Sequence, residues 1–313
     1  MSPQRFPAVA RRAGLLAGAL ALGIGGTAPR RIERQNAVPD TAALLRVVRV
    51  LAADSMEGRL AGSPGSARAR RYLLTRLRAL KLEPLQGSFE HSFALPGAAG
   101  RGVNLLARLR GTRYPDRYLV LSAHYDHLGI RRGEIYNGAD DNASGTAALL
   151  TIAEALCRKR PLHSVILAWF DGEEAGLLGS KAFLAESPVP KGSLLLEVNL
   201  DMVGHSEKGE LWAAGAAHYP SLLPTLKAVA AQAPVRLRLG HDRPGKAGEA
   251  DWTNESDQGP FHAAGIPFVY FGEEDHKDYH RPSDDPETLT PAFFAGAVLT
   301  ILTAVRRFDA ALR

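Results

Sequence analysis

Apolar residues along this chain recur with two periods, and the alternation between them outlines the fold. Thr41–Ala53 and Ala67–Leu82 carry apolar side chains at three- and four-residue spacing; in the second, Tyr72, Leu73, Leu77 and Leu80 share a face opposite the arginines. Both predict amphipathic helices. Between them lies a polar, glycine-rich loop, DSMEGRLAGSPGS. Phe89–Leu95 and Val103–Leu109 predict strands, and Gly111–Asp116 a turn. Tyr118–Ala123, Ser164–Phe170, Leu194–Leu200 and Pro267–Phe271 are short apolar runs of the kind buried on both faces, and Val235–Leu239 is a further short strand. Helices are predicted over Ala143–Cys157 (capped by Asn142 or Ser144), Leu177–Glu186, Pro220–Ala231, Asp257–Ala264 and Pro291–Phe308, the last with proline in its first turn. Strands alternating with helices, with strands apolar on both sides, imply one α/β domain: a mostly parallel, mixed central β-sheet with helices on both faces. There is no internal repeat, and no linker is evident after Gln35.

The first 35 residues stand apart. Arg11-Arg12 precede an apolar run, Ala13–Gly26, followed by small residues. The run is short for a transmembrane helix and suits the apolar region of an export signal. Residues 1–35 are therefore expected to be a signal peptide or an N-terminal anchor, and 36–313 the folded domain, exported to the periplasm or secreted. No cysteine follows the run to carry a lipid. The mature domain is expected to be a monomer without stable membrane insertion.

Composition narrows the function mainly by exclusion. The net charge of +5 resides in the leader, where six arginines face Glu33 alone; the remaining chain balances 32 basic against 32 acidic residues. A neutral body carries no signature of nucleic-acid binding. The single cysteine, Cys157, rules out an internal disulfide and a cysteine-based zinc site, and its apolar helical context makes it a small core residue.

The chemistry lies at strand ends. His124 and Asp126 follow Tyr118–Ala123, Glu173 and Glu174 follow Ser164–Phe170, and Asp201 follows Leu194–Leu200. Ligands of open α/β sheets collect at the carboxyl ends of strands. Asp140-Asp141 sit in a Gly/Ala/Asn turn and His280 in DYHRPSDD. Imidazole and carboxylate together suit zinc, two zincs need a shared carboxylate, and Asp126 is spaced to orient His124.

The ordered set HYDH, GADDNASGTAALL, FDGEEAGLLGS, NLDMVG and DYHRPSDD resembles the secreted co-catalytic two-zinc aminopeptidases, a family that also includes glutaminyl cyclases and some carboxypeptidases. The resemblance covers roughly Thr41 to Leu312 and includes SMEGRLAGSPGS. It implies a single α/β zinc-peptidase domain and two Zn²⁺ per chain. Asp140 would bridge the metals, with a cis peptide between it and its follower. His124 and Asp201 would complete one zinc site, Glu174 and His280 the other. Glu173 would be the general base acting on a metal-bridging water, and Asp126 would orient His124. Tyr279 would either stabilise the oxyanion or serve only in packing. The implied activity is an exopeptidase hydrolase acting on a peptide or protein, foremost an aminopeptidase; a carboxypeptidase, a dipeptidase and a glutaminyl cyclase stay open. Gln258 stands in SDQGPF where the family often has histidine, which points to an altered substrate contact. His127, His241, His262 and His276 match no role and are expected to be surface or packing residues, and Trp252 lies in either the cleft wall or a surface loop.

Overall fold

The computed structural model describes residues 39–97, 100–243 and 250–312, with residues 1, 2 and 4; apart from those three, the expected leader lies outside the described residues. In chain order the helices and strands are α1 (Thr41–Leu51), α2 (Pro64–Ala79), β1 (Glu83–Pro84), β2 (Glu90–Ala94), β3 (Arg101–Leu109), β4 (Tyr114–His124), β5 (Gly129–Arg131), β6 (Glu134–Tyr136), α3 (Gly145–Arg158), β7 (His163–Phe170), α4 (Leu178–Ala185), β8 (Leu194–Leu200), β9 (Glu210–Ala214), α5 (Leu223–Ala230), β10 (Arg236–Leu239), α6 (Gln258–Ala263), β11 (Phe268–Gly272) and α7 (Pro291–Ala311).

Local chemistry sets the helix starts. Asp40 caps α1 by accepting the Ala43 N–H at 3.1 Å, and Leu44, Val47, Val48 and Leu51 form its buried stripe. α2 begins three residues before its apolar pattern does, because Ser63 caps it through the Ser66 N–H and Pro64 occupies its first turn. The expected turn at Gly111–Asp116 ends early: β4 already starts at Tyr114 and shifts register before Tyr118. β9 and the β5–β6 hairpin are additions, too short to show a period in the sequence.

The main sheet has the order β1-β3-β7-β4-β8-β11-β9-β10, with β2 also on β3. Its centre is parallel: β4 with β7 and β8, and β8 with β11. β3 is antiparallel to β1, β2 and β7, and β11 to β9, while β10 runs parallel to β9. Alternation along each strand divides the core. Leu119, Leu121, Val165, Leu167, Leu196 and Val198 point to the face covered by α1, α2, α3, α5 and α7. Val120, Ile166 and Phe170 point to the other, where Phe183 and Leu184 of α4 and Phe261 of α6 pack. The fold is thus the mixed α/β domain with helices on both faces that the pattern predicts.

Register then places the functional groups. His124 pairs with Phe170 and Ser122 with Asn199, so the segments following β7 and β8 emerge level with His124.

Candidate metal centre

The turn between β6 and α3 is built from long-range bonds. Gly138 has φ 57°, and a β-carbon there would meet the Asp141 carbonyl at 2.1 Å, so only glycine fits. The Asp284 carboxylate accepts the N–H of Asp140 at 2.9 Å and of Asp141 at 3.0 Å. The Asp141–Asn142 peptide is cis. Asn142, rather than Ser144, makes the cap-like bond, accepting the Gly145 N–H at 2.9 Å and donating to the Leu200 carbonyl of β8.

This geometry makes Asp141 the hub. One oxygen lies 3.4 Å from His124 Nε2; the other lies 3.1 Å from His280 Nε2 and 3.6 Å from His127 Nδ1. On the first side Asp201 Oδ1 is 3.1 Å from His124 Nε2. On the second, Glu174 lies 2.8 Å from His127 Nδ1 and 3.4 Å from His280 Nε2. His124, Asp141 and Asp201 form one group with metal-binding spacing, and His127, Asp141 and Glu174 another.

Asp140, to which the resemblance gives the bridging position, does not lie between the two groups; Asp141 does, and the cis bond follows Asp141 rather than Asp140. Successive residues of this turn point in opposite directions. Asp140 turns away from His124 and His280 to accept the Gly204 N–H at 2.8 Å and face His276 Nε2 at 3.4 Å, beside Glu273. Asp126 does face His124 Nδ1, but its main-chain carbonyl is the nearer group at 3.3 Å, while its carboxylate accepts the Glu173 N–H at 3.1 Å. Glu173, Glu174, Asp201, Tyr279 and His280 line a cavity of about 710 Å³, together with Trp252. Tyr279 stacks on His280 with ring centres 3.9 Å apart.

Other expectations shift with the geometry. His127 and His276 are neither surface nor simple packing residues: both lie within the polar clusters, with side chains 0% and 7% exposed. The sequence signal for His127 was its place one residue beyond the His-x-Asp pair. His241 is a packing residue, stacked on Trp252 at 3.6 Å, and His262 meets the Tyr219 hydroxyl at 2.8 Å. Gln258 is buried, accepts from Asn199, and donates to the Trp252 carbonyl, tying the cavity wall to β8. Cys157 is half-buried.

Electrostatics show what the cluster lacks. Burial raises the Glu173 carboxyl well above its ordinary pKa, and nearby Asp201 adds to this. Burial likewise raises Asp126, and raises Asp257 to about 6. For Glu174, burial is outweighed by His127 and His280, which hold it below the usual range. Burial would lower His280, but Asp141 and Glu174 raise it to about 10; His124 is likewise raised, against burial, by Asp201 and Glu173. Imidazoles are thus drawn toward the charged form by the carboxylates around them, while the guanidinium of Arg59 lies deeper, its pKa lowered by burial to about 10. His127 Nδ1 and Nε2, Glu174 Oε1 and Asp126 Oδ2 are buried without a hydrogen-bond partner. Nitrogen and oxygen donors around a central carboxylate, with buried polar atoms among them left unpartnered, fit divalent cation binding of the zinc type.

Comparison with known proteins agrees with the geometry. A probable zinc metalloprotease of Pyrenophora tritici-repentis is 34% identical over 106 residues, which are 33% of this chain and 24% of that protein, so the match spans about a quarter of the relative. A zinc aminopeptidase from Bacillus subtilis superposes with a TM-score of 0.71 at 16% identity, covering 88% of this chain and 96% of that one. Porphyromonas gingivalis glutaminyl cyclase superposes with a TM-score of 0.70 at 18% identity, covering 86% and 98%. At such identities the structures establish the shared fold. The sequence pattern of peptidase family M28 matches residues 104–305, from within β3 to near the end of α7, a span that includes His124, His127, Asp141, Glu173, Glu174, Asp201 and His280. The chain belongs to peptidase family M28.

Proposed function

We propose that this chain is a zinc-dependent metallopeptidase with a dinuclear centre, and that it acts as an aminopeptidase. The observation that carries the reading is Asp141, set between His124–Asp201 on one side and Glu174–His280 on the other. Zinc bound between such groups lowers the pKa of coordinated water toward neutrality and polarises a carbonyl. The protein's own part is the following. Glu173, held at the cavity wall by its N–H to Asp126, accepts the proton of the attacking water and delivers it to the leaving amine. Its raised pKa suits both tasks. Asp126 fixes the His124 ring through Nδ1. Tyr279, on the cavity wall against His280, is placed to donate its hydroxyl to the developing oxyanion. The cavity carries the further acids Asp251, Glu255 and Asp275, a lining that favours a free α-ammonium group and hence an exopeptidase. The zinc aminopeptidase fold of the Bacillus protein supports the same choice.

The test is a substrate panel of aminoacyl anilides, N-blocked peptides and dipeptides, run with and without chelator. Hydrolysis restricted to free N-termini and abolished by chelator supports the reading. Cleavage of N-blocked peptides at their carboxyl ends, or cyclisation of N-terminal glutamine without hydrolysis, would replace it. We also propose export, supported by the arginine pair and the apolar run of the leader; N-terminal sequencing of the mature protein tests it.

A further inference from the structure

We infer that His127 is a fourth protein donor on the Glu174 side of the centre, making the two metal sites unequal. This rests on the dinuclear reading above. On that side Asp141, Glu174, His280 and His127 converge; on the other only Asp141, His124 and Asp201 do.

Three observations carry the assignment. First, His127, Asp141 and Glu174 offer donor atoms that all lie within 4.8 Å of one another, and small shifts would bring them to the roughly 3.3–3.6 Å at which tetrahedral donors sit about a zinc with bonds of about 2.0–2.2 Å. His127 Nδ1 is 3.6 Å from Asp141 Oδ2 and 2.8 Å from Glu174 Oε1, while His280 Nε2 is 3.1 Å and 3.4 Å from the same two carboxylates. The two rings approach at 5.8 Å with a 59° tilt, as side chains reaching one point from different segments do. Second, the alternative of a hydrogen bond from His127 to Glu174 fails on alignment. Nδ1 and Oε1 are close, yet neither has a hydrogen-bond partner, and Nε2 has none either. A fully buried imidazole with both nitrogens unpartnered is costly, and a cation at Nδ1 satisfies its lone pair. Third, the ring is fixed. It is completely buried, and Gly138 lies so close that a β-carbon there would fall 2.5 Å from it.

Structural zinc sites are closed by four protein donors, whereas catalytic ones keep a position open. The Glu174 site would therefore bind its metal tightly and fill first. The His124–Asp201 site would keep the open position, facing the cavity that Glu173 and Asp201 line.

The experiment uses the full chain stripped with chelator, titrated with zinc by calorimetry and by elemental analysis. X-ray absorption then counts imidazoles in the fully loaded protein. Three histidines on two zincs give an average of 1.5 imidazoles per metal; His124 and His280 alone give 1.0. The inference expects 1.5, falling to 1.0 in His127→Ala, with the tighter binding constant weakened at least tenfold and the weaker one changed less than twofold. His127→Gln, which keeps volume, should behave likewise, with the metal-free melting curve reporting folding. An average of 1.0 in the unaltered protein, or both binding constants unchanged in the variants, overturns the inference while leaving the dinuclear centre intact. Saturation below two zincs overturns the centre itself, and this assignment with it.

Discussion

Arg59 donates from Nη1 to the Asn137 carbonyl at 2.6 Å, joining a turn that precedes α2 to one 78 residues later. The same guanidinium reaches the carbonyls of Tyr125 and Gly138 at 2.8 Å and Leu51 at 2.7 Å, and it is fully buried. Tyr125 follows His124, and Gly138 begins the turn that aims Asp141. One side chain therefore clamps both ligand-bearing loops, and its charge lies near Asp141 and Asp284. Arg59→Ala strips four buried carbonyls of their donor and should destabilise the metal-free protein by about 3–5 kcal/mol in urea unfolding. Arg59→Lys keeps charge but not the fork, so it should recover only part of the stability and of the zinc affinity.

The displacement of the hub from Asp140 to Asp141 gives a direct comparison. Asp141→Asn should lower zinc occupancy at both sites and with it the rise in melting temperature on adding zinc. Asp140→Asn should keep two zincs per chain and lose about 1–2 kcal/mol, because its carboxylate holds the Gly204 N–H and faces His276. Elemental analysis of the two variants in parallel decides between them. Zinc retained in Asp141→Asn and lost in Asp140→Asn would restore the original assignment.

Glu173→Gln removes the proton acceptor and leaves the metal-binding groups in place. Zinc content should be unchanged and kcat should fall by about 10²–10⁴, with a smaller effect on KM. Unaltered turnover would mean that another group, Asp257 foremost, carries the proton.

Ser122 lies between two acceptors, with Glu197 Oε1 at 2.5 Å and Asn199 Oδ1 at 2.9 Å. Asn199 spends its own N–H groups on Ser256 and Gln258, so the Ser122 hydroxyl serves Asn199 and Glu197 must donate. Burial accordingly raises the Glu197 pKa well above its ordinary value. A carboxyl that stays protonated in the folded state while the unfolded chain ionises loses stability as pH rises. The penalty begins above the unfolded pKa and grows by about 1.4 kcal/mol per pH unit until the folded pKa is reached. Glu197→Gln keeps a donor and removes the titration. Its stability relative to the unaltered protein should therefore climb from pH 5 to pH 8, as read from urea midpoints. A constant difference would show that Glu197 is ionised in the folded state.

Period and punctuation in the sequence were enough to place the elements, since strands buried on both faces and helices with one apolar stripe leave a direct trace. They also located the candidate site, because His124, Glu173, Glu174 and Asp201 each lie at or just past the end of an apolar strand whose parallel register brings that end to one rim. The short strand β9 left no such trace: five residues do not establish a period.

What tertiary structure alone decided is which way side chains point within a turn. Asp140 and Asp141 are chemically identical neighbours, and the choice between them is made by Asp284, 144 residues from Asp140, which holds both main-chain N–H groups. His127 is likewise one imidazole among several until Gly138 and Glu174 fix its ring. Residue type and order determined which groups could meet at the sheet edge; bonds between distant segments determined which atoms do, because a turn has no period of its own to set its direction.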